Sequence, residues 1–318
     1  MSKEVFFNSA RPLGRCENIT SVWYAYDGPK RFAVGGYIDV SHRYENIIIT
    51  DEFVRNKRDE QVIVMIAHGI TGGKLYGNDQ KQGQFLPGTC ELVDYYIVSG
   101  DAGIPIGASA AGIPEERCLP LGMPRTDAYF GHDKGWGNTI MAKRNRAYLY
   151  VPTFRSAYNC PTPKINYRLL DSLMEFDEIL IVKRHYNQRA PLMEEDLVHV
   201  WEVGCYEPSA RYLFDCDVLA TDFSSILFDG YLMGKPSVLT ADAKDPYLEE
   251  RGMYYRYPDE YGSRSIAVAG NEERFLTLLR EAADNGMQET ERACIERVAS
   301  ACDGHAIERL IKFVKELA

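Results

Sequence analysis

Three stretches of the chain place residues suited to group transfer directly after an apolar run. The run Val62–Ala67 is followed by His68 and then by the Gly-rich segment Gly69–Lys74. A histidine at such a point can act as a general base, and the glycines let a substrate approach the backbone closely. The spacing of a complete phosphate loop is absent from this segment. The alternative interpretation is a turn histidine that bonds to a backbone carbonyl.

A second histidine follows the apolar run Ile179–Lys183. There the residues Lys183, Arg184 and His185 put two cations and an imidazole at one strand end. Positive charge and an imidazole donor suit the oxygens of a phosphoryl group. A solvated basic loop is the alternative, and these residues alone do not decide between the two.

The third stretch is Asp222-Phe223-Ser224-Ser225, between the apolar run Val218–Thr221 and a helical pattern. Asp222, Ser224 or Ser225 could simply cap that helix. The same geometry also makes an anion site, because helix N-termini present unpaired amides and two hydroxyls add further donors. Capping needs only one such residue, so three polar groups in four positions favour phosphate binding.

A proline-containing loop presents two further candidates. The steps Gly112-Ile113-Pro114 and Gly122-Met123-Pro124 indicate a rigid loop that exposes Arg125 and Asp127. For Asp127, a structural role in the loop is the favoured interpretation.

Apolar runs and helical patterns alternate along the chain, as in parallel α/β sheets covered on both faces. Strands are predicted at Val22–Tyr26, Ile47–Thr50, Val62–Ala67, Tyr95–Ser99, Ala147–Val151, Ile179–Lys183, Val218–Thr221 and Ser237–Thr240. Helices are predicted at Ile165–Phe176, Ser225–Met233, Glu272–Ala283, Glu289–Ala301 and Ala306–Leu317.

The length of 318 residues predicts two domains of about 150 residues each. The polar segment Gly131–Asn138 precedes a new strand, so we place one α/β domain at 1–145 and a second at 146–318. The last helix could still pack back onto the first domain. Ligands of open α/β sheets bind beyond the carboxyl ends of the strands, which predicts a site in a cleft between the domains.

Composition excludes several classes of protein. The net charge is −10, and residues 151–318 carry all of it with 19 Lys and Arg against 29 Asp and Glu. This balance argues against nucleic-acid binding and against a broad basic membrane patch. Eight scattered cysteines without a CxxC pair indicate reduced, mostly buried thiols. The N-terminal residues lack the features of a signal peptide, so we expect a cytoplasmic protein.

The order of these motifs resembles that of the CDP-glycerol glycerophosphotransferase family, the teichoic-acid glycerol-phosphate primases and polymerases of GT-B fold. The similarity covers about residues 60–318, and six motifs in order are specific although each is weak alone. The six matching stretches are Ala67-His68-Gly69, Asp94–Ser99, Gly112–Glu116 with Leu119–Asp127, Tyr148–Arg155, the strand leading to His185, and Asp217–Asp229. Near the end, Asp303–Arg309 also looks like the closing segment of the family.

The resemblance implies a GT-B-like fold with two Rossmann-like domains whose parallel sheets face a central cleft. It also implies transfer of glycerol phosphate, or a related alditol phosphate, from a CDP-linked donor to an acceptor hydroxyl with release of CMP. His68 would be the general base and His185 a contact of the donor pyrophosphate. The residues we expect to bind the donor are Ser224, Ser225, Asp222, Arg184, Arg125, Thr153 and Lys183.

The implied partners are CDP-glycerol or a similar CDP-alditol and a glycan or lipid-linked acceptor, in synthesis of teichoic-acid or capsule-like polymers. Contact with the inner face of the membrane stays open. No cofactor is indicated, and a divalent metal is neither required nor excluded. Ile70, Tyr186 and Phe223 depart from the family pattern, which leaves the alditol open. The alternatives are a GT-B glycosyltransferase or epimerase that uses a nucleotide sugar, and a non-catalytic nucleotide-binding scaffold.

Overall fold

The structure, a computed structural model, divides into two compact units. Unit 1 comprises Met1–His132 and Glu296–Ala318, and unit 2 comprises Asp133–Ile295. The predicted boundary after residue 145 therefore falls within unit 2, and the last residues belong to unit 1. The structure describes residues 4–9, 17–35, 38–52, 54–79, 92–131, 139–155, 163–185, 187–188, 190–193, 197–262 and 264–317. Of the predicted linker Gly131–Asn138, only Gly131 is among these described residues.

Unit 1 is built on a parallel sheet with helices packed around it. Its strands are β1 (Val5–Ser9), β2 (Lys30–Val34), β3 (Ile38–Asp39), β4 (Ile47–Thr50), β5 (Val54–Arg55), β6 (Val62–Ile66), β7 (Tyr95–Ile97) and β8 (Cys118–Leu119). Its helices are α1 (Glu17–Ala25), α2 (Gly103–Ala111), α3 (Asp127–Phe130) and, at the end of the chain, α10 (Ala306–Leu317). The six-stranded sheet has the order β2-β1-β4-β6-β7-β8, and β3 pairs with β5 separately.

The prediction of a strand at Val22–Tyr26 is wrong, because these residues belong to α1 and the turn after it. Ile19, Val22 and Tyr26 are buried, whereas Tyr24 between them is 70% exposed. Spacings of three and four residues put the buried side chains on one face of a helix. The remaining described elements of unit 1 that were not predicted are β1, β2, β3, β5, β8, α2 and α3.

Unit 2 contains a second parallel sheet. Its strands are β9 (Arg146–Val151), β10 (Glu178–Lys183), β11 (Val200–Val203), β12 (Val218–Thr221) and β13 (Ser237–Leu239). Its helices are α4 (Tyr167–Leu173), α5 (Ser209–Asp215), α6 (Ile226–Leu232), α7 (Pro246–Arg251), α8 (Glu272–Asn285) and α9 (Glu289–Val298), whose last residues belong to unit 1. The strand order is β11-β10-β9-β12-β13, and every pairing is parallel.

Both faces of the second sheet are covered. Along β9, Tyr148 and Tyr150 enter one buried cluster, while Ala147 and Leu149 enter the other. This explains why the strands of unit 2 read as continuous apolar runs. The seven other predicted strands and all five predicted helices are confirmed, with ends that differ by a few residues. Because each sheet is parallel, the carboxyl ends of its strands meet at one edge.

Candidate active site

His68 follows β6, and its side chain is 60% exposed. Strand β6 pairs with β4, so the residues after β4 lie beside the histidine. The His68 Nδ1 atom lies 3.9 Å from Oδ2 of Asp51, and its Nε2 atom lies 3.5 Å from Oε1 of Glu52. Carboxylates on both sides of the ring can stabilise the charge that an imidazole acquires when it accepts a proton.

Asp51 and Glu52 are residues that the sequence reasoning missed. The Asp51 side chain is 5% exposed, and its Oδ2 atom accepts a hydrogen bond of 3.0 Å from the Ser9 hydroxyl at the end of β1. Beside it, Asn8 Nδ2 donates to the Thr50 hydroxyl at 3.2 Å. The sequence feature that could have identified Asp51 is its position, because it directly follows an apolar run just as His68 does.

Arg125 lies in unit 1, where hydrogen bonds join it to the segment that carries His68. Its Nη1 atom donates to the His68 carbonyl at 2.6 Å. Its backbone N–H donates to Asn18 Oδ1 at 3.0 Å, and Asn18 Nδ2 donates to the Ala67 carbonyl at 3.0 Å. Of the predicted donor-binding residues, Arg125 is the one that belongs to unit 1, together with the predicted base.

Asp127 has a structural role, in line with the favoured interpretation. Its carboxylate accepts hydrogen bonds from the backbone N–H groups of Ala306 at 3.0 Å and Ile307 at 2.8 Å, which begin α10. Burial raises the pKa of Asp127, although these two bonds act in the opposite direction. Nearby, Gly122 has φ +86°, and a Cβ there would lie 2.1 Å from the Ala301 carbonyl oxygen. The proline-containing loop is therefore fitted to the last helix.

In unit 2, Asp222 belongs to a buried ion-pair network. Its Oδ1 atom accepts from the Thr153 N–H at 2.8 Å, and Oδ2 accepts from Arg155 Nε at 3.1 Å and Nη2 at 2.6 Å. The Arg155 Nη1 atom bonds to both oxygens of Asp245 at 2.8 Å. The Arg155 guanidinium also lies 5.2 Å from the Phe223 ring centroid, a cation–π distance. Sequence reasoning missed Arg155 because its partners lie far away in the chain.

The two serines after Asp222 do not cap α6 through their side chains. Ser225 stands at the N-cap position with helical backbone angles, and its hydroxyl makes no capping hydrogen bond. Ser224 and Ser225 are half-buried, and neither hydroxyl has a hydrogen-bond partner among the described residues. The Thr153 hydroxyl is buried and has no partner within this part of the chain either. The half-buried hydroxyls of Ser224 and Ser225 at the carboxyl end of β12 are thus available to a ligand, and the buried Thr153 hydroxyl after β9 has unused hydrogen-bonding capacity.

The His185 ring is held on two sides at the end of β10. It stacks on Phe154, with 5.7 Å between ring centroids and an interplanar angle of 16°. The backbone N–H of Asn187 donates to His185 Nδ1 at 3.1 Å. An Nδ1 atom that accepts a hydrogen bond carries no proton, so in the neutral ring the proton is on Nε2. His185 is therefore arranged as a hydrogen-bond donor through Nε2.

The two cations before His185 make contacts within unit 2. Lys183 is buried, and its Nζ atom donates to the Arg184 carbonyl at 2.5 Å. The Arg184 side chain pairs with Glu202 on β11. Strands β10, β9 and β12 are neighbours, so the predicted residues of unit 2 share one edge of the sheet.

Among the described residues, no group of three or more His, Cys, Asp or Glu side chains is arranged to hold a metal ion. Five cysteines fall in the described ranges, and all five are buried free thiols: Cys118, Cys205, Cys216, Cys294 and Cys302. Cys16, Cys90 and Cys160 lie outside those ranges, as does Tyr186. Within the part of the chain that the structure describes, no helix combines the length and apolarity needed to cross a membrane.

Residues 36–316 match the family model of the CDP-glycerol:poly(glycerophosphate) glycerophosphotransferases. The chain belongs to this family. Among similar members, the teichoic acid ribitol-phosphate primase of Bacillus spizizenii is 30% identical over 231 residues, which are 64% of this chain and 58% of that protein. The teichoic acid ribitol-phosphate polymerase TarK of Staphylococcus aureus is 26% identical, over 80% of this chain and 52% of that protein. The chain thus spans little more than half the length of these relatives.

Solved structures show the same fold as this family member. The wall teichoic acid polymerase TagF aligns with a TM-score of 0.76 at 18% identity, covering 99% of this chain and 89% of that chain. The MnaA–UDP structure of S. aureus aligns with a TM-score of 0.63 at 14% identity, covering 98% and 96%. These likenesses concern the fold, and they confirm the predicted α/β, GT-B-like fold class.

Proposed function

We propose that the chain transfers glycerol phosphate, or a related alditol phosphate such as ribitol phosphate, from a CDP-linked donor to an acceptor hydroxyl. CMP is the leaving group, and the product belongs to a teichoic-acid or capsule-like polymer of the cell surface. The observation that carries this proposal is that the hydroxyls of Ser224 and Ser225, and the buried hydroxyl of Thr153, have no hydrogen-bond partner among the described residues of this family member. Hydroxyl donors at one sheet edge suit the oxygens of a pyrophosphate.

In the proposed reaction, the acceptor oxygen attacks the phosphorus that bears the alditol. A new P–O bond forms, the bond from that phosphorus to the bridging oxygen of the pyrophosphate breaks, and CMP leaves. His68 takes the proton of the acceptor hydroxyl, with Asp51 and Glu52 near enough to stabilise the resulting imidazolium. His185 donates a hydrogen bond through Nε2 to a phosphate oxygen of the donor.

The description of the family, which names CDP-glycerol, supports a CDP-alditol donor, and the names of the first two relatives point to ribitol phosphate. We propose a glycan or lipid-linked acceptor with a terminal hydroxyl, used by a cytoplasmic enzyme that contacts the membrane peripherally. Lys183 and Arg184 supply positive charge at the edge of the sheet of unit 2. In the structure, Arg184 pairs with Glu202, and Lys183 donates a hydrogen bond to the Arg184 carbonyl.

A panel of CDP-glycerol, CDP-ribitol and UDP-N-acetylglucosamine, scored for the nucleotide released, tests the proposal. We expect CMP from one or both CDP-alditols and no UDP. Ser224→Ala should lower turnover by roughly 10²–10³-fold, because one donor to the phosphate is lost. The matched control is Ser172→Ala, which removes an exposed hydroxyl on α4 that bonds to the Leu169 carbonyl. Release of UDP by the wild-type protein, or equal activity of the two variants, would contradict the assignment.

A further inference from the structure

The segment that carries His68 is attached to the rest of unit 1 by side chains remote in sequence. On α1, Asn18 is 3% exposed and uses both ends of its amide. Its Nδ2 atom donates to the Ala67 carbonyl at 3.0 Å, and its Oδ1 atom accepts from the Arg125 N–H at 3.0 Å. The Arg125 guanidinium then donates to the His68 carbonyl at 2.6 Å. Two consecutive carbonyls, one of them that of the histidine itself, are thereby held.

The segment after His68 needs such support because its own sequence is permissive. Gly69 and Gly72 add conformational freedom, and Gly72 has φ +123°, which L side chains rarely adopt. The far end is attached separately, since the Thr71 N–H donates to the Ser99 hydroxyl at 2.9 Å. The orientation of the imidazole therefore depends on where the Ala67 and His68 carbonyls are anchored.

We propose that Asn18 and Arg125 are positioning residues that together orient His68. This inference rests on the proposed function, in which His68 is the general base. It assigns Arg125 to the positioning of the base, whereas the sequence alone places Arg125 among the residues expected to bind the donor. A displacement of about 1 Å in a reacting group can lower a rate by roughly 10²-fold. We therefore expect a loss in kcat of about 10–100-fold when either anchor is removed, with little change in the KM for the donor.

The test compares Asn18→Ala, Arg125→Ala and Arg125→Lys by steady-state kinetics with CDP-glycerol and CDP-ribitol. Both alanine variants should lower kcat, and Arg125→Lys, which keeps a donor for the His68 carbonyl, should restore most of it. Because both side chains act on one segment, the double alanine variant should lose less than the product of the single losses. Arg144→Ala is the matched control, since Arg144 donates to the Phe176 carbonyl at 3.1 Å in unit 2 and should leave kcat unchanged.

Amide hydrogen exchange provides a readout that does not need turnover. Peptides covering residues 67–72 should exchange faster in Asn18→Ala and Arg125→Ala, whereas those from β12 in unit 2 should not change. A raised donor KM with unchanged kcat in Arg125→Ala would overturn the proposal and assign Arg125 to the donor. Unchanged exchange at 67–72 would overturn it as well. Absence of turnover in the wild-type protein would refute the proposed function alone, because the exchange measurement still decides whether the anchors exist.

Discussion

Replacing Asp222 separates structural from ligand-binding roles within Asp222-Phe223-Ser224-Ser225. Asp222 is 1% exposed and Arg155 2% exposed, and three hydrogen bonds end on the Asp222 carboxylate. Burial alone would lower the pKa of Arg155, but Asp222 and Asp245 hold it above its ordinary value, so the guanidinium stays charged. Asp222→Ala leaves this buried cation with Asp245 as its remaining carboxylate partner. Breaking a buried pair costs about 3–5 kcal/mol when the remaining charge is left uncompensated, so with Asp245 still bonded to Arg155 we expect a cost at the lower end, about 3 kcal/mol.

That loss is a large share of the roughly 5–15 kcal/mol that stabilises a typical domain. With a urea slope of about 2 kcal/mol per molar, the unfolding midpoint should fall by about 1.5 M. Ser224→Ala is the matched control, because its half-buried hydroxyl has no partner among the described residues, and it should change stability by less than about 0.5 kcal/mol. Urea unfolding measures the stability change of both variants, and amide exchange in β9 and β12 is measured as a second readout. Equal midpoints for the two variants would refute the division of roles.

Two further predictions concern unit 2. The pKa of Glu178 is lowered overall: burial raises it, but hydrogen bonds led by that from Arg280 and including that from the Tyr148 hydroxyl outweigh this. The contribution of the Glu178 carboxylate to the free energy of unfolding is therefore complete above the unfolded pKa of about 4.3. It is lost as the pH falls through the pKa of the folded state. Glu178→Gln should cost about 2 kcal/mol at pH 7 and progressively less below pH 4 in urea unfolding; a constant difference would contradict this. Phe154→Leu removes the aromatic ring that stacks on His185, and it should lower kcat/KM about 10-fold at nearly unchanged Tm. If Tm falls together with activity, Phe154 has a structural role alone.

Local pattern predicted most strands of the two larger sheets, half of the helices that the structure describes, and the position of the polar strand ends. The helix Ala306–Leu317 was predicted with the bounds that the structure shows. Strand β6 and the exposed His68 after it follow from a continuous apolar run that ends in a polar residue. The prediction of a strand at Val22–Tyr26 was wrong because a short apolar run fits both the two-residue period of a strand and the 3.6-residue period of a helix. The buried residues there are spaced three and four positions apart, which is the spacing of a helix face.

The partners of the site residues could not be predicted in the same way. Asp222 is structural because Arg155, 67 positions away, donates to it, and no local pattern specifies such a pair. Asn18 lies 107 positions from Arg125, in a stretch where sequence reasoning predicted no site. Only the folded chain shows which polar residues meet at a sheet edge.

The most direct test of the central claim is phosphorus-31 NMR of the chain mixed with CDP-glycerol and a short poly(glycerol phosphate) acceptor, repeated with CDP-ribitol. We expect CMP and a new phosphodiester to appear in equal amounts from at least one donor. We also expect His68→Ala to slow both signals together by roughly 10²–10⁴-fold. Absence of CMP with both donors, while a UDP-sugar is consumed, would contradict the account.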